Sequence, residues 1–211
     1  MQVVSVNLGS PQSLDIGKKT VETGIFKRPV QEQVMISEQG VHGDTVANKI
    51  HHGGPDQAVY LYSLEDYDWW SQTLDKHLIP GTFGENLTLS QFGAPSLKIG
   101  DRFQINDALL EVTAARIPCA KLAARMGDPG FVKRFVQARR PGVYARVLEP
   151  GTVAAGDAVT FVPTPRPYPE VVAIFDLWHS KERDPARLEA GLVAPLAERA
   201  RAAFMHWLEQ A

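Results

Sequence analysis

LKIGDRFQINDALLEVTAARIPCAKL, residues 97–122, decides how this chain is read. Inside it, RFQIND and ALLEVTAA carry the β-branched and aromatic residues that suit a pleated, half-buried surface, and Gly, Asp and Asn bound them. Gly100-Asp101 sits between two apolar runs, a turn leading into a strand, and VAAGDAVTF (153–161) repeats that arrangement. The second strand runs directly into RIPCAKL (116–122), which holds the only cysteine of 211 residues, after a proline and between Arg116 and Lys121.

Outward from this stretch the same texture continues. MQVVSVNL, QEQVMIS, QAVYLYS, ENLTLS, GVYARVL and DAVTFV all read as short strands closed by turn residues. Their spacing predicts a mainly β fold, a barrel or sandwich with a few helices, rather than alternating βαβ units. Two helices interrupt the strands. SLEDYDWWSQTL (63–74) has Ser63 as N-cap and acids in its first turn; DPGFVKRFVQARR (128–140) has Asp128 as N-cap, Pro129 first and Phe131 and Phe135 on one face.

A boundary follows residue 162. PTPRPYPE (163–170) has proline at every second position through Pro169 and predicts a stiff, extended connector. Beyond it VVAIFDLWHS, DPARLEAGLV and PLAERARAAFMHWLEQA predict three short helices, with Asp184-Pro185 and Pro195 as start signals. The chain thus divides into 1–162 and a helical tail, 163–211. So short a tail is not expected to stand alone, so Trp178, Phe204, Trp207 and Leu208 should pack on the β domain or on a second subunit of a homodimer.

The bulk numbers exclude several function classes. With 44% apolar and 22% charged residues the chain is an ordinary globular protein. A net charge of −2 gives no general attraction to nucleic acid, and no apolar run is long enough to span a membrane. The N-terminus lacks the features of a signal peptide, and a lone cysteine fits a reducing cytoplasm. One cysteine also excludes a four-cysteine zinc site or a self-contained iron–sulfur cluster, and no GxGxxG or Walker loop is present.

Cys119 has two readings from its own neighbourhood: a small buried hydrophobe, or a thiolate favoured by Arg116, Lys121 and Arg125. Residues 116–146 hold eight basic residues and one acid, an asymmetry that suits an anionic ligand such as a phosphate, although Lys133, Arg134, Arg139 and Arg140 equally suit a solvated helix face. GVHGDTVANKIHHGGPDQAVYLY (40–62) is rich in His and Gly ahead of a strand. Gly43, Gly53 and Gly54 allow a turn with free amides that binds an anion; alternatively His42, Asp44, His51 and His52 could bind zinc, though their spacing follows no common zinc pattern. GTFGEN (81–86) is a further polar turn, and GIFKRPV (24–30) places Lys27 and Arg28 at a strand start.

Taken in order, GIFKRPV, the His/Gly segment, GTFGENLTLS, LKIGDRFQINDALLEVTAARIPCAKL and RPGVYARVLEPGTVAAGDAVTF resemble a MOSC domain, the C-terminal domain of molybdenum cofactor sulfurases, over residues 20 to 162. With its helical tail the chain resembles the stand-alone bacterial YiiM-like type. The resemblance implies a β-barrel that holds a molybdopterin-type molybdenum cofactor, with Cys119, in its P-C-x-K context, ligating the metal; a soft thiolate suits molybdenum. By the same resemblance Lys27, Arg28, His51, His52, Gly53, Gly54, Asn86, Arg116, Lys121 and Arg146 are candidate cofactor contacts, with Arg125 able to exchange for a neighbouring cation. It further implies reduction of N-hydroxylated compounds such as 6-hydroxylaminopurine, with His42 or Asp44, then His52 or Glu85, as candidate proton donors. Electrons would come from a separate reductase, docked on the tail or on the basic helix 128–140, because the chain has no flavin or nicotinamide fingerprint. Two other functions stay open at this point: a carrier of sulfur or cofactor on Cys119, and a cysteine hydrolase pairing Cys119 with a histidine.

Overall fold

A computed structural model describes residues 1–45, 53–94 and 96–210, so the readings placed on His51 and His52 lie outside the described residues. β1 (Val3–Gly9) opens the chain, with Val3 and Val6 fully buried. β2 (Gln12–Ile16) and β3 (Lys19–Thr23) form a separate two-stranded ribbon, and β4 (Lys27–Val30) returns to β1. β5 (Val34–Ser37), β6 (Gly40–Val41) and the later β12 (Gly151–Val153) make a small three-stranded sheet. After a 3-10 turn at Pro55–Gln57 come β7 (Val59–Ser63), α1 (Leu64–Leu74), β8 (Leu87–Leu89), β9 (Arg102–Ile105) and β10 (Ala108–Ala115). The remainder is α2 (Ala120–Met126), α3 (Phe131–Ala138), β11 (Val143–Glu149), β13 (Val159–Val162), α4 (Val171–His179), α5 (Pro185–Val193) and α6 (Glu198–Leu208).

The main sheet has eight strands in the order β13-β9-β10-β11-β7-β8-β1-β4, antiparallel except for β7 against β8. The opening stretch supplies its β9–β10 hairpin, in register Phe103↔Leu110 and Ile105↔Ala108, with all four side chains buried. Asn106 turns that hairpin with a φ of 50°, a backbone shape asparagine tolerates better than most residues. Shifts of register in the β1–β8 and β10–β11 pairs bend the sheet. It curls until Gln2 bridges Ala158, just before β13, with Val3 N donating to Asp157 O at 2.9 Å and Val159 N to Met1 O at 3.0 Å. The mainly β expectation holds, but the barrel it included is not a closed one: the seam is a single bridge instead of a ladder.

Helices cover the curled sheet through aromatic packing. Trp70 of α1 stacks on Phe135 of α3 with ring centroids 6.0 Å apart, and Phe83 lies 4.6 Å from Tyr62. Ser63 caps α1, accepting from Asp66 N at 3.1 Å as its position predicts. The start of α3 differs from the expectation: Gly130 is its N-cap, and Asp128 instead accepts from Gly130 N at 2.8 Å and pairs with Arg134 at 3.1 Å. The bend before Phe131 lets both phenylalanines face inward.

The proline-rich connector is anchored at its end, where Ile99 N donates to Pro169 O and Val171 N to Leu97 O. Phe175 of α4 and Phe204 of α6 are fully buried in the same hydrophobic cluster as the sheet. Trp178 and Trp207 meet edge-on at 5.4 Å and pack partly buried against it. Gly191 of α5 lies flat under Phe204, where a Cβ would come within 2.8 Å of the ring. Among the described residues, no helix is long and apolar enough to cross a membrane.

Candidate functional site

The turn 81–86, between α1 and β8, is organised from inside by Glu85. Its Oε1 accepts from the Tyr67 hydroxyl and Gly81 N, both at 2.6 Å, and from the Thr88 hydroxyl at 2.8 Å. Glu85 is wholly buried and its Oε2 has no partner. Burial pushes its carboxyl pKa up, against those hydrogen bonds. With the polar side chain turned in, backbone carbonyls of the turn face two guanidinium groups. Arg116 donates to Phe83 O; Arg125 donates to Gly81 O at 3.0 Å and to Ile25 O at 2.7 Å.

These two arginines differ from five others in how their charge is met. Arg102, Arg134, Arg139, Arg140 and Arg146 each face a carboxylate. Among the described residues, neither Arg116 nor Arg125 has one within salt-bridge distance. Aromatic faces serve instead: Arg116 lies over the Tyr60 ring and Arg125 over Phe26, each 5.0 Å from the centroid. Tyr144 of β11 packs on Tyr60 at 5.0 Å. Burial opposes the charge of Arg116, but Tyr60, Tyr144 and Cys119 around it favour that charge, and its pKa is raised. Burial lowers the pKa of Arg125, with Glu85 and Tyr67 only partly offsetting it.

Cys119 stands near Arg116 at the head of α2, whose last turn carries Arg125; it is in extended backbone (φ −137°, ψ 171°), its carbonyl accepting from Leu122 N at 3.0 Å. It is half-buried, not sealed in the apolar interior. Lys121 points to the β2–β3 ribbon and donates to Glu22 O at 3.2 Å. The helix itself was not legible in the sequence, because its first residue follows no Ser, Thr, Asp or Asn cap.

Lys27, Asp44 and Asn86 converge nearby. Asp44 accepts from Gly9 N at 2.8 Å, from Asn86 Nδ2 at 2.9 Å and from the Lys27 ammonium. Asn86 also accepts from Tyr60 N at 3.2 Å. Burial lowers the Lys27 pKa, with Asp44 acting against that shift. Asp44 is therefore an anchor joining β1, β4 and the strand-entry turn of β8. The other sequence candidates are more dispersed. Arg28 and His42 are exposed, and Gly53 and Gly54 lead into the 3-10 turn, Gly54 with a φ of 91°. Arg146 pairs with Asp56 at 2.9 Å, lies 3.6 Å from Glu111 and donates to Pro195 O at 3.2 Å, contacts that join the sheet to the tail. Among the described residues, no three His, Cys, Asp or Glu side chains cluster to hold a metal ion. Sequence reasoning missed Tyr60 and Tyr144; it named Arg125 among the cations favouring the thiolate, but as a cofactor contact only in exchange for a neighbour.

Fold and site together define a mostly β protein that sets its single thiol near buried Arg116, at the head of the helix that carries half-buried Arg125, neither arginine pairing with a carboxylate among the described residues. The MOSC domain model matches residues 48–160, and the chain belongs to the MOSC domain family, one associated with molybdenum cofactor binding. It is similar to the uncharacterized protein YflK of Bacillus subtilis, 42% identical over 154 residues, 73% of this chain and 70% of that one. It is also similar to a protein named "Reductase" from Gibberella moniliformis, 34% identical over 71% of this chain but only 27% of that much longer one. The crystal structure of YiiM from Geobacillus stearothermophilus superposes with a TM-score of 0.81 at 27% identity, over 98% of both chains. The chain is thus a YiiM-like MOSC protein carrying C-terminal helices.

Proposed function

We propose that this protein is a molybdenum-cofactor-dependent reductase of N-hydroxylated compounds, 6-hydroxylaminopurine among them. The observation that carries the reading is the pairing of a half-buried lone thiol with a buried and a half-buried guanidinium group, Arg116 and Arg125, neither within salt-bridge distance of a carboxylate among the described residues. The residues fit the group. Cys119 is a soft donor for the metal, and Arg116 and Arg125 offer charge to an anionic pterin phosphate. Arg116 Nε is buried without a hydrogen-bond partner, which leaves a guanidinium donor for such a group. When bound, the cofactor would supply the two-electron chemistry of R–NHOH + 2e⁻ + 2H⁺ → R–NH₂ + H₂O.

The chain's own part is to bind, orient and deliver protons. Lys27 and Asn86, tied to Asp44, hold the floor of the site in one arrangement. Because Asp44 already accepts three hydrogen bonds, exposed His42 is the better proton donor of the two. Lys121, Arg28 and the Gly53-Gly54 turn remain rim contacts of this reading. Electrons come from a separate reductase, and the lone cysteine suits work in a reducing cytoplasm. The relative named a reductase supports the reaction class.

Metal analysis and turnover test it together. About one molybdenum per chain, with reduction of a hydroxylaminopurine by an artificial donor, is expected of protein produced with cofactor supply. Cys119→Ala should lose both. Metal bound in the wild type without turnover on any N-hydroxylated substrate would favour a cofactor carrier, and turnover that survives Cys119→Ala would end the proposal.

A further inference from the structure

The arrangement around buried Arg116 and half-buried Arg125 raises a question that the cofactor does not answer: what keeps the two cations in place before any anion arrives? Buried guanidinium groups are ordinarily met by carboxylates, because an unpaired buried charge is costly. Here the acceptors are peptide carbonyls, Phe83 O and Gly81 O from one turn and Ile25 O opposite. Carbonyls satisfy N–H donors without cancelling the charge.

We infer that Glu85 is a positioning residue: it pegs the 81–86 turn from within so that the turn acts as a carbonyl clamp for Arg116 and Arg125, presenting both cations ready-set beside Cys119. The geometry supports each link. Glu85 Oε1 draws Gly81 N, the Tyr67 hydroxyl and the Thr88 hydroxyl to one point. Tyr67 in turn accepts from Phe83 N at 3.4 Å, so the peg reaches both carbonyl-bearing residues. Gly81 (φ 87°) and Gly84 (φ 77°) give the turn the left-handed backbone it needs to aim those carbonyls outward. Burial raises the Glu85 pKa, with the three hydrogen bonds acting against that shift. A clamp of this kind removes the ordering cost from ligand binding.

The inference deepens the cofactor reading and rests on it for its purpose, but the clamp can be tested without cofactor. The full chain, purified without cofactor, is treated with phenylglyoxal, and each arginine's labelling rate is read by peptide mapping. In Glu85→Ala, Arg116 and Arg125 should label roughly ten-fold faster, as the turn opens locally, while Arg139 and Arg140 keep their wild-type rates. Glu85→Gln, whose amide oxygen still accepts, should label as wild type. Unchanged rates at Arg116 and Arg125 in a folded Glu85→Ala protein overturn the clamp. So does parallel acceleration of all four arginines, or a Glu85→Gln protein that behaves like Glu85→Ala. Should Glu85→Ala fail to fold, Tyr67→Phe decides: faster labelling of Arg116 than of Arg125 supports the clamp, and no change overturns it. Labelling is independent of metal content, so failure of the clamp leaves the molybdenum result standing, and the reverse.

Discussion

Asp56 caps the last helix from across the sequence: its Oδ2 accepts from Glu198 N at 2.9 Å, while its Oδ1 meets Arg146 at 2.9 Å. The Thr113 hydroxyl donates to Asp56 O at 2.5 Å, and Ala197 N donates to Thr113 O at 3.0 Å. One short turn, one strand and the start of α6 are thereby fastened at a single point. That turn begins two residues after Gly53, so the tail holds the far end of the His/Gly segment.

Removing the cap should loosen the tail before the sheet. Asp56→Ala is expected to cost about 1–2 kcal/mol, the usual range for a lost helix cap. Asp56→Asn, which can still accept from Glu198 N, should cost less. Urea unfolding followed by the fluorescence of Trp178 and Trp207 measures both, and equal losses in the two variants would show that the ion pair with Arg146, not the cap, carries the effect.

How much of this was legible in the sequence depends on the range of the interaction. The β9–β10 hairpin and α1 were readable because alternation, turn residues and a serine cap act locally. The β2–β3 ribbon was not, since Gln12–Ile16 and Lys19–Thr23 are largely polar and bury little. Helix α2 is seven residues of mostly alanine and basic side chains, with no periodic apolar signal. Cys119 stood out by being alone. Its companions did not, because Tyr60 and Tyr144 reach Arg116 through the β7–β11 pairing, in which Tyr60 faces Tyr144. Arg146 looked like one more cation of the 116–146 window, but strand register aims it at Glu111 and Asp56.

Acid should weaken the tail through His179. Its ring packs edge-on against Phe175 at 4.6 Å, and its Nε2 is buried without a partner. Burial lowers its pKa from 6.5, with Asp176 only partly opposing the shift. The unfolded chain therefore binds the proton more readily, and the folded state loses stability as pH falls from about 6.5 through the lowered value. His179→Gln removes this dependence. The melting temperature of wild type should drop relative to that variant between about pH 7.5 and 5, and parallel curves would refute the assignment.

Packing at Gly191 gives a prediction without electrostatics. A Cβ there meets Phe204 Cε2 at 2.8 Å and Cδ2 at 3.0 Å, and Phe204 is fully buried. Gly191→Ala gains helix propensity yet must displace that ring, so it should destabilise by about 1–3 kcal/mol, against the roughly 1 kcal/mol gain the substitution gives in an exposed helix. A melting temperature at or above that of wild type would mean that α5 can shift on α6 without cost.

Glu85 makes the opposite pH signature to His179. Its folded pKa is raised above the ordinary 4.5, first by burial, while Tyr67, Gly81 N and Thr88 pull it back. Between 4.5 and that raised value the unfolded chain gives up this proton while the folded protein keeps it. The stabilising contribution is then complete below that value and is lost as pH rises through the raised pKa. Glu85→Gln has no proton to lose and keeps an acceptor for the same three donors. The melting temperature of Glu85→Gln should therefore gain on wild type with rising pH and level off once Glu85 ionises in the fold. A gap that stays constant across the range would mean the carboxyl is ionised in the folded state at its ordinary pH. The field on Arg116 and Arg125 would then be set by three charges in place of two.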